Sequence, residues 1–527
     1  MCSTILMVTG ATQEPKARVP AAFDGATIEI LCLLALLVPA ALILLVNNGS
    51  MPMLLWDESR NANNALEMSR NGHLLVTYFN GLPDHWNTKP PLLIWIMAFL
   101  LRLGLSPLLA LRLPSMAAGT ATVLGIFFFC RVQLQDRAAG LFAGLTLLSA
   151  PLFVGWHGAR TGDYDSFVTL FTTAYTLAFW KYIETRDGKR TPWLIAAGVA
   201  LTLGILTKGV GGVLALPALL LYSLLRGRFL HLLRDRQLWL ILFAVTLVCG
   251  GYYRLREHFD PGYLAAVVNN DFAGRYLAVN EEHRGGPLFY FKVLALRYQP
   301  GFLLLPFCAV PFFRTDARRR SLVLLCILVS AVLYAVLTKS QTKLFWYIAP
   351  ATPFLALASS IGLSQGLDWL KASRAKIPAI LRPRVAYTTV AVIFCVAIAA
   401  CLDYYQVSLR HKLDGMYLGG RYGPLLEQIR QRGLTNSLVI LDEGSDVPGD
   451  TTGILTHYSP EADFYSKLES RRGMRIQVTS PGVPIQAGTW VATCDPRSIQ
   501  WLNERYRSIA ALQPDRWCSL NRTLDPK

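Results

Sequence analysis

Apolar residues along this chain are bunched into long blocks rather than spread at amphipathic spacing. Residues 28–46, 138–155, 237–253, 321–338 and 385–402 each supply enough apolar positions for a helix to cross a hydrocarbon layer of about 30 Å. So many blocks cannot share one soluble core, and the pattern predicts a polytopic α-helical membrane protein. Beyond residue 403 the pattern changes. Residues 404–527 are polar, with strand-like runs at 437–441, 474–479, 489–494 and 517–522 and helix-like runs at 424–432 and 497–506. That alternation reads as a small α/β domain outside the membrane. Residues 1–27 lack periodicity and read as a cytoplasmic tail. No small-residue cleavage site follows 28–46, so that block reads as a retained anchor.

Charge then sets the topology. Short basic segments at 131–137, 181–190, 226–236, 314–320 and 371–384 are expected on the cytoplasmic side. The stretches between them must each cross twice, with 193–207 and 209–225 as a tight hairpin. Residues 91–103 are apolar, but crossing there would place 131–137 outside. That segment is short, begins with Pro90-Pro91 and contains Arg102, so a helix lying on the outer interface is expected. The result is about eleven spans, or up to thirteen, in a plasma (inner) membrane. A transmembrane domain covers 28–403, its first outer loop covers 47–106, and the C-terminal domain stands outside.

Composition agrees: 53% of residues are hydrophobic and 16% charged, against about a quarter charged in soluble domains. The net charge of +17 lies in the short loops, which suits membrane anchoring and argues against nucleic acid as a partner. Eight of the ten cysteines sit in the tail or in or beside apolar blocks, without zinc-ligand spacing. Cys494 and Cys518 are the remaining two, and pairing between them is open.

Polar residues gather in the outer loops. The first carries Trp56-Asp57-Glu58-Ser59-Arg60, then Asn80-Gly81 and Asn87-Thr88-Lys89-Pro90-Pro91-Leu92. The second reads His157-Gly158-Ala159-Arg160-Thr161-Gly162-Asp163-Tyr164-Asp165. Thr207-Lys208-Gly209 interrupts the apolar hairpin; Gly274-Arg275-Tyr276, Glu281-Glu282-His283 and Lys343-Leu344-Phe345-Trp346-Tyr347 follow. Each has a bland reading: Asp57 as a helix cap, Arg160 in a local surface pair, Lys208 snorkelling, and Lys343, Trp346 and Tyr347 as interfacial anchors. Together they put carboxylates (Asp57, Glu58, Asp163, Asp165) and cations (Lys89, Lys208, Arg275, Lys343) on one face. Carboxylates supply a general base and fixed cations neutralise a phosphate leaving group. No P-loop or dinucleotide motif accompanies them, which disfavours nucleotide-driven chemistry.

In this order the motifs resemble the integral-membrane GT-C glycosyltransferases, specifically the lipid A aminoarabinose transferases and protein O-mannosyltransferases, over roughly residues 28–363. The resemblance implies an α-helical GT-C fold and inverting transfer of a sugar from a polyprenyl phosphate to a glycolipid, glycan or protein acceptor. Carried over by position, Asp57 is the base, Lys89, Arg275 and Tyr347 hold the donor phosphate, and Asp165 (or Asp163) orients Lys89 or the sugar. Thr88 departs from the family: an acidic residue typically precedes the lysine there. A metal site is therefore not implied, and no metal is required on this reading. A flippase for a lipid-linked sugar is the alternative, but it predicts repeated halves and midplane charges. A non-catalytic assembly protein would not need carboxylates and cations spread over separate loops.

Overall fold

The computed structural model describes residues 24–51, 53, 57–185, 190–277, 283–373, 383–408, 421–444 and 458–527. All of the tail 1–27 except its last four residues lies outside them, as does the side chain of Arg275. α1 (Gly25–Leu44) leads to a first loop made of α2 (Asp57–Asn71), the hairpin β1 (Tyr78–Phe79) and β2 (Leu82–Pro83), and α3 (Leu92–Arg102). α4 (Pro107–Phe129) and α5 (Arg137–Leu148) follow, then the one-turn α6 (Pro151–Val154), which opens the second loop. α7 (Asp165–Glu184) and α8 (Thr191–Lys208) run antiparallel, succeeded by α9 (Leu216–Leu225), α10 (Phe229–Arg234), α11 (Arg236–Phe259) and α12 (Tyr263–Val267). α13 (Phe289–Arg297), α14 (Gly301–Leu304), α15 (Ala317–Lys339), α16 (Thr352–Ala372) and α17 (Pro383–Asp403) complete the helical part.

Caps fix where several helices begin. Asp136, Asp235 and Asp316 each accept backbone N–H groups of the first turn that follows, of α5, α11 and α15 respectively. Among the described residues, seven helices are long and apolar enough to cross a membrane, or eight if the pair bent by 104° at residues 298–300 is one span. The protein is thus a multi-pass membrane protein. The expected eleven also counted the segments that form α5, α7 and α9. α5 and α9 have twelve and ten residues, too short alone, because Pro151 follows the first and a 3₁₀ stretch, Gly209–Val213, precedes the second. Within that stretch a Cβ on Gly212 would lie 2.5 Å from the Gly204 backbone, so only glycine permits so close a return.

α3 has eleven residues, about 16 Å at 1.5 Å per residue, half a hydrocarbon thickness. It packs along α2, and Arg102 Nε donates to Ser69 O at 2.9 Å. The segment expected to lie along the membrane is thus too short to cross it.

The C-terminal domain comprises α18 (Tyr422–Gln431), β3 (Ser437–Leu441), α19 (Pro460–Ser470), β4 (Arg475–Thr479), β5 (Trp490–Thr493), α20 (Pro496–Arg505), β6 (Tyr506–Leu512) and β7 (Ser519–Pro526). The sheet order is β4-β3-β5-β7-β6. β3 is parallel to β4 and β5, and the remaining pairs are antiparallel. Cys494 and Cys518 form a disulfide, their Cα atoms 4.0 Å apart. This domain shares its core with the first loop: Ala62, Leu66 and Met97 belong to one buried cluster with Leu425, Ile440 and Phe464. α19 docks on α2, where Lys467 Nζ donates to Glu67, Asn63 and Asn80 at 2.7, 2.9 and 2.6 Å.

Candidate active site

Asp57 and Glu58 open α2 side by side, and the 100° step between helical neighbours sends them apart. Glu58 is buried. It meets the Arg112 guanidinium of α4 through two bonds of 2.7 and 2.9 Å and accepts the Gly162 N–H at 2.9 Å. Asp57 is half exposed at 51% and faces the second loop, its Oδ2 3.7 Å from His157 Nδ1. The same nitrogen lies 3.1 Å from Asp163 Oδ2. The His157 ring lies flat on Trp346, centroids 3.6 Å apart, on a backbone with φ +57°, rarely adopted by a non-glycine residue. Burial opposes charging this imidazole, but Asp163 and then Asp57 outweigh it and raise its pKa. Among the described residues, Asp57, His157 and Asp163 form the one trio able to hold a metal ion, with ligand atoms all within 4.8 Å.

Beside them, Asp165 begins α7 and Lys208 ends α8. Lys208 Nζ donates to both Asp165 oxygens at 2.7 and 2.8 Å and lies 5.1 Å from the centre of the Tyr347 ring. Lys89 Nζ stands 3.4 Å from Asp271 Oδ1, whose other oxygen accepts the Thr88 hydroxyl at 3.1 Å.

A buried network aims the stretch that bears Lys89. Asp84 accepts both arms of Arg60 at 2.9 and 2.7 Å, Asn64 Nδ2 at 2.9 Å, and the N–H groups of Trp86 and Asn87 at 3.0 and 2.9 Å. Burial alone would raise the Asp84 pKa, but Arg60 and these donors hold it down at about 2. Asn87 in turn donates to Asn64 and to the Tyr164 hydroxyl at 2.8 and 2.9 Å, which ties the first loop to the second.

Two cavities meet here. One, of about 280 Å³, is walled by Val168, Val210, Leu214, Val336, Leu337 and Pro350, and its polar groups include Lys89, Asp165, Lys208, Asp271 and Tyr347. A narrower cleft of about 30 Å³ is lined by Asp57, Arg60, Trp86, Asp163 and Trp346. Lys89, Asp165, Lys208 and Tyr347 line both. An apolar chamber therefore joins a polar cleft through two lysines, a carboxylate and a phenol.

Of the residues singled out in the sequence, Asp57, Asp163, Asp165, Lys89, Lys208 and Tyr347 line these cavities. Glu58 does not: it is held under Arg112. Lys343 does not either: its ammonium is turned onto the Thr338 and Ser340 carbonyls. The Arg275 side chain and residues 281–282 lie outside the described residues. Asp165 pairs with Lys208 rather than with Lys89, whose described partner is Asp271. His157, Asp84 and Asp271 carry no role on sequence pattern alone. A usable signal was the asparagine-rich α2, since Asn61, Asn63 and Asn64 are weak helix formers with side chains to satisfy.

The model of the dolichyl-phosphate-mannose-protein mannosyltransferase family matches residues 88–251. Two curated relatives are named undecaprenyl phosphate-alpha-4-amino-4-deoxy-L-arabinose arabinosyl transferases. That of Pseudomonas savastanoi pv. phaseolicola is 27% identical over 66% of this chain and 62% of its own length. That of Pseudomonas fluorescens is 24% identical over 71% and 63%. The chain thus spans somewhat over six tenths of the length of these relatives. Among solved structures, ArnT from Cupriavidus metallidurans bound to undecaprenyl phosphate matches with a TM-score of 0.65 at 18% identity, over 94% of this chain and 98% of that one. The archaeal oligosaccharyltransferase AglB from Archaeoglobus fulgidus, in complex with an inhibitory peptide and a dolichol-phosphate, gives 0.53 at 12% identity, over 93% and 74%.

Proposed function

From a chain that has the fold of the GT-C membrane glycosyltransferases, we propose an inverting transferase that moves a sugar from a polyprenyl phosphate to an envelope acceptor. The acceptor is a glycolipid such as lipid A, another glycan or a protein. The observation that carries this reading is the junction of the two cavities at Lys89, Asp165, Lys208 and Tyr347. The apolar chamber suits the first isoprene units, the lysines the phosphate, and the cleft toward Asp57 the sugar and the incoming hydroxyl. The names of the curated relatives support a polyprenyl-phosphate donor of this kind.

In the reaction, Asp57 takes the proton of the acceptor hydroxyl, whose oxygen bonds to the anomeric carbon as the bond from that carbon to the phosphate oxygen breaks. The lipid phosphate leaves with its charge held by Lys89 and Lys208, and by Arg275 on the family pattern, while the Tyr347 hydroxyl donates to it. Asp165 fixes the Lys208 ammonium at that point. Glu58 and Lys343 take structural parts: the first bolts α2 to α4, the second clips its own loop. Asp163 holds His157 beside Asp57. The positive-inside pattern supports a site and a C-terminal domain, 404–527, on the periplasmic face of the inner membrane, with the transferase domain over 28–403.

The test uses purified full-length protein with a radiolabelled polyprenyl-phosphate sugar. Acceptor-dependent release of free lipid phosphate is expected, and Asp57→Asn abolishes it while donor binding persists. Near-normal turnover in that variant removes Asp57 as the base, and export of intact donor without cleavage replaces the transferase with a flippase.

A further inference from the structure

α7 and α8 carry the candidate site at one end only. α7 has twenty residues, so its other end stands about 30 Å away, one hydrocarbon thickness. There a second cavity, of about 440 Å³, opens between the ends of α7 and α8 and the short α10. Its polar lining is Tyr182, Thr185, Arg190, Arg228 and His231.

Among the described residues its basic groups outnumber the carboxylates within reach. Asp235 is spent: it faces Arg190 at 3.0 Å, accepts the Tyr182 hydroxyl at 2.5 Å and caps α11 through the Gln237 N–H at 2.9 Å. Glu184, the other carboxylate nearby among the described residues, is taken by Arg226 at 3.1 Å and by the Tyr222 hydroxyl at 2.7 Å. Among the described residues no carboxylate pairs with Arg228 or His231. The Thr185 hydroxyl is buried and has no hydrogen-bond partner among them. A guanidinium and an imidazole on one space, with Thr185 in its wall, form a receptor for an anion with several oxygens. The space holds on the order of ten waters, more than a bare phosphate fills.

The rim says how such an anion arrives. α10 turns Leu230 outward at 63% exposure. Beside it Trp239 is also exposed, with its indole N–H bonded to Leu233 O at 2.9 Å. Apolar side chains flanking a basic pocket at a helix end suit acyl chains with the headgroup turned inward.

We propose that this cavity binds the phosphate of an anionic lipid at the membrane face opposite the candidate active site. Arg228, His231 and Thr185 hold the phosphate oxygens, and Leu230 and Trp239 lie along the acyl chains.

Native mass spectrometry of the full-length protein in detergent tests this with phosphatidic acid, phosphatidylcholine and inorganic phosphate as probes. Phosphatidic acid is expected to be retained about tenfold better than phosphatidylcholine. Arg228→Gln and Thr185→Val each erase most of that preference, whereas Lys89→Gln at the other site leaves it in place. Equal retention by wild type, Arg228→Gln and Thr185→Val overturns the proposal. Displacement of the lipid by millimolar inorganic phosphate overturns the lipid as the source, because the cavity then recognises phosphate alone. Failure of phosphate to displace it supports the lipid.

Discussion

Lys208 Nζ bridges both carboxylate oxygens of Asp165 at 2.7 and 2.8 Å and thereby closes the last residue of α8 onto the first of α7. Both side chains are largely buried and line both cavities. If Lys208 holds the leaving phosphate, Lys208→Ala lowers kcat/KM by about 10²–10³-fold, as loss of an oxyanion donor does. Asp165→Asn acts through Lys208, so the two losses are not additive. A double-mutant cycle on kcat/KM is expected to give about 0.5–3 kcal/mol of coupling. Strict additivity would separate Asp165 from Lys208 and leave it a role on the sugar itself.

Neighbouring carboxylates on α2 are expected to fail in different ways. Glu58→Ala leaves Arg112 charged and buried at 2% exposure without its fork partner. That costs about 3–5 kcal/mol, read as a fall in the thermal midpoint. Asp57→Asn, half exposed, is expected to leave the midpoint unchanged and remove turnover. Variants that lose stability at Asp57 and chemistry at Glu58 would exchange the two roles.

Docking of the C-terminal domain on α2 predicts a third outcome. Lys467 Nζ carries three hydrogen bonds across that contact, one of them to the Glu67 carboxylate, which also accepts the Asn80 and Gly81 N–H groups at 2.8 and 3.0 Å. Lys467→Met strips these bonds, the charged one worth about 1.5–3 kcal/mol. Limited proteolysis is then expected to release the C-terminal domain sooner, and transfer to fall by less than the loss at Lys208. An unchanged digestion pattern would mean that the shared apolar core around Leu66 and Phe464 holds the domain alone.

Much of this architecture is legible in the sequence because membrane solvation and charge act locally. Ser437–Leu441 is a strand at the residues expected, and Pro90-Pro91 with Arg102 marks a helix too short to cross. The number of spans is less legible, since Gly209 and Pro151 break helices without altering the apolar pattern that predicts them. At the site, Asp57, Lys89 and Lys208 stand out as charges next to apolar blocks. Asp84, His157 and Asp271 do not, because their meaning lies in partners 24, 6 and 182 positions away, Arg60, Asp163 and Lys89. No periodicity encodes such pairings. The union of the C-terminal domain with α2 is likewise tertiary: no pattern in the sequence marks α19, and it supplies Lys467.

The trio Asp57, His157 and Asp163 sets the last test, because a metal ion there would compete with Asp57 acting as the base. With ligand atoms within 4.8 Å, the trio would engage an Asp57 oxygen if it took up a divalent ion. A carboxylate bound to a cation is a weaker proton acceptor, since the positive charge favours its ionised form. If Asp57 is the base, incubation with EDTA followed by gel filtration leaves acceptor-dependent turnover within about twofold, a change of about 0.4 kcal/mol in barrier. Metal content measured on the same sample is then expected to show no stoichiometric ion. Loss of turnover that one divalent ion restores, and that His157→Ala reproduces, would make Asp57 a ligand. The proton would then pass to another group, and the cleft would work by polarising the acceptor rather than by direct abstraction.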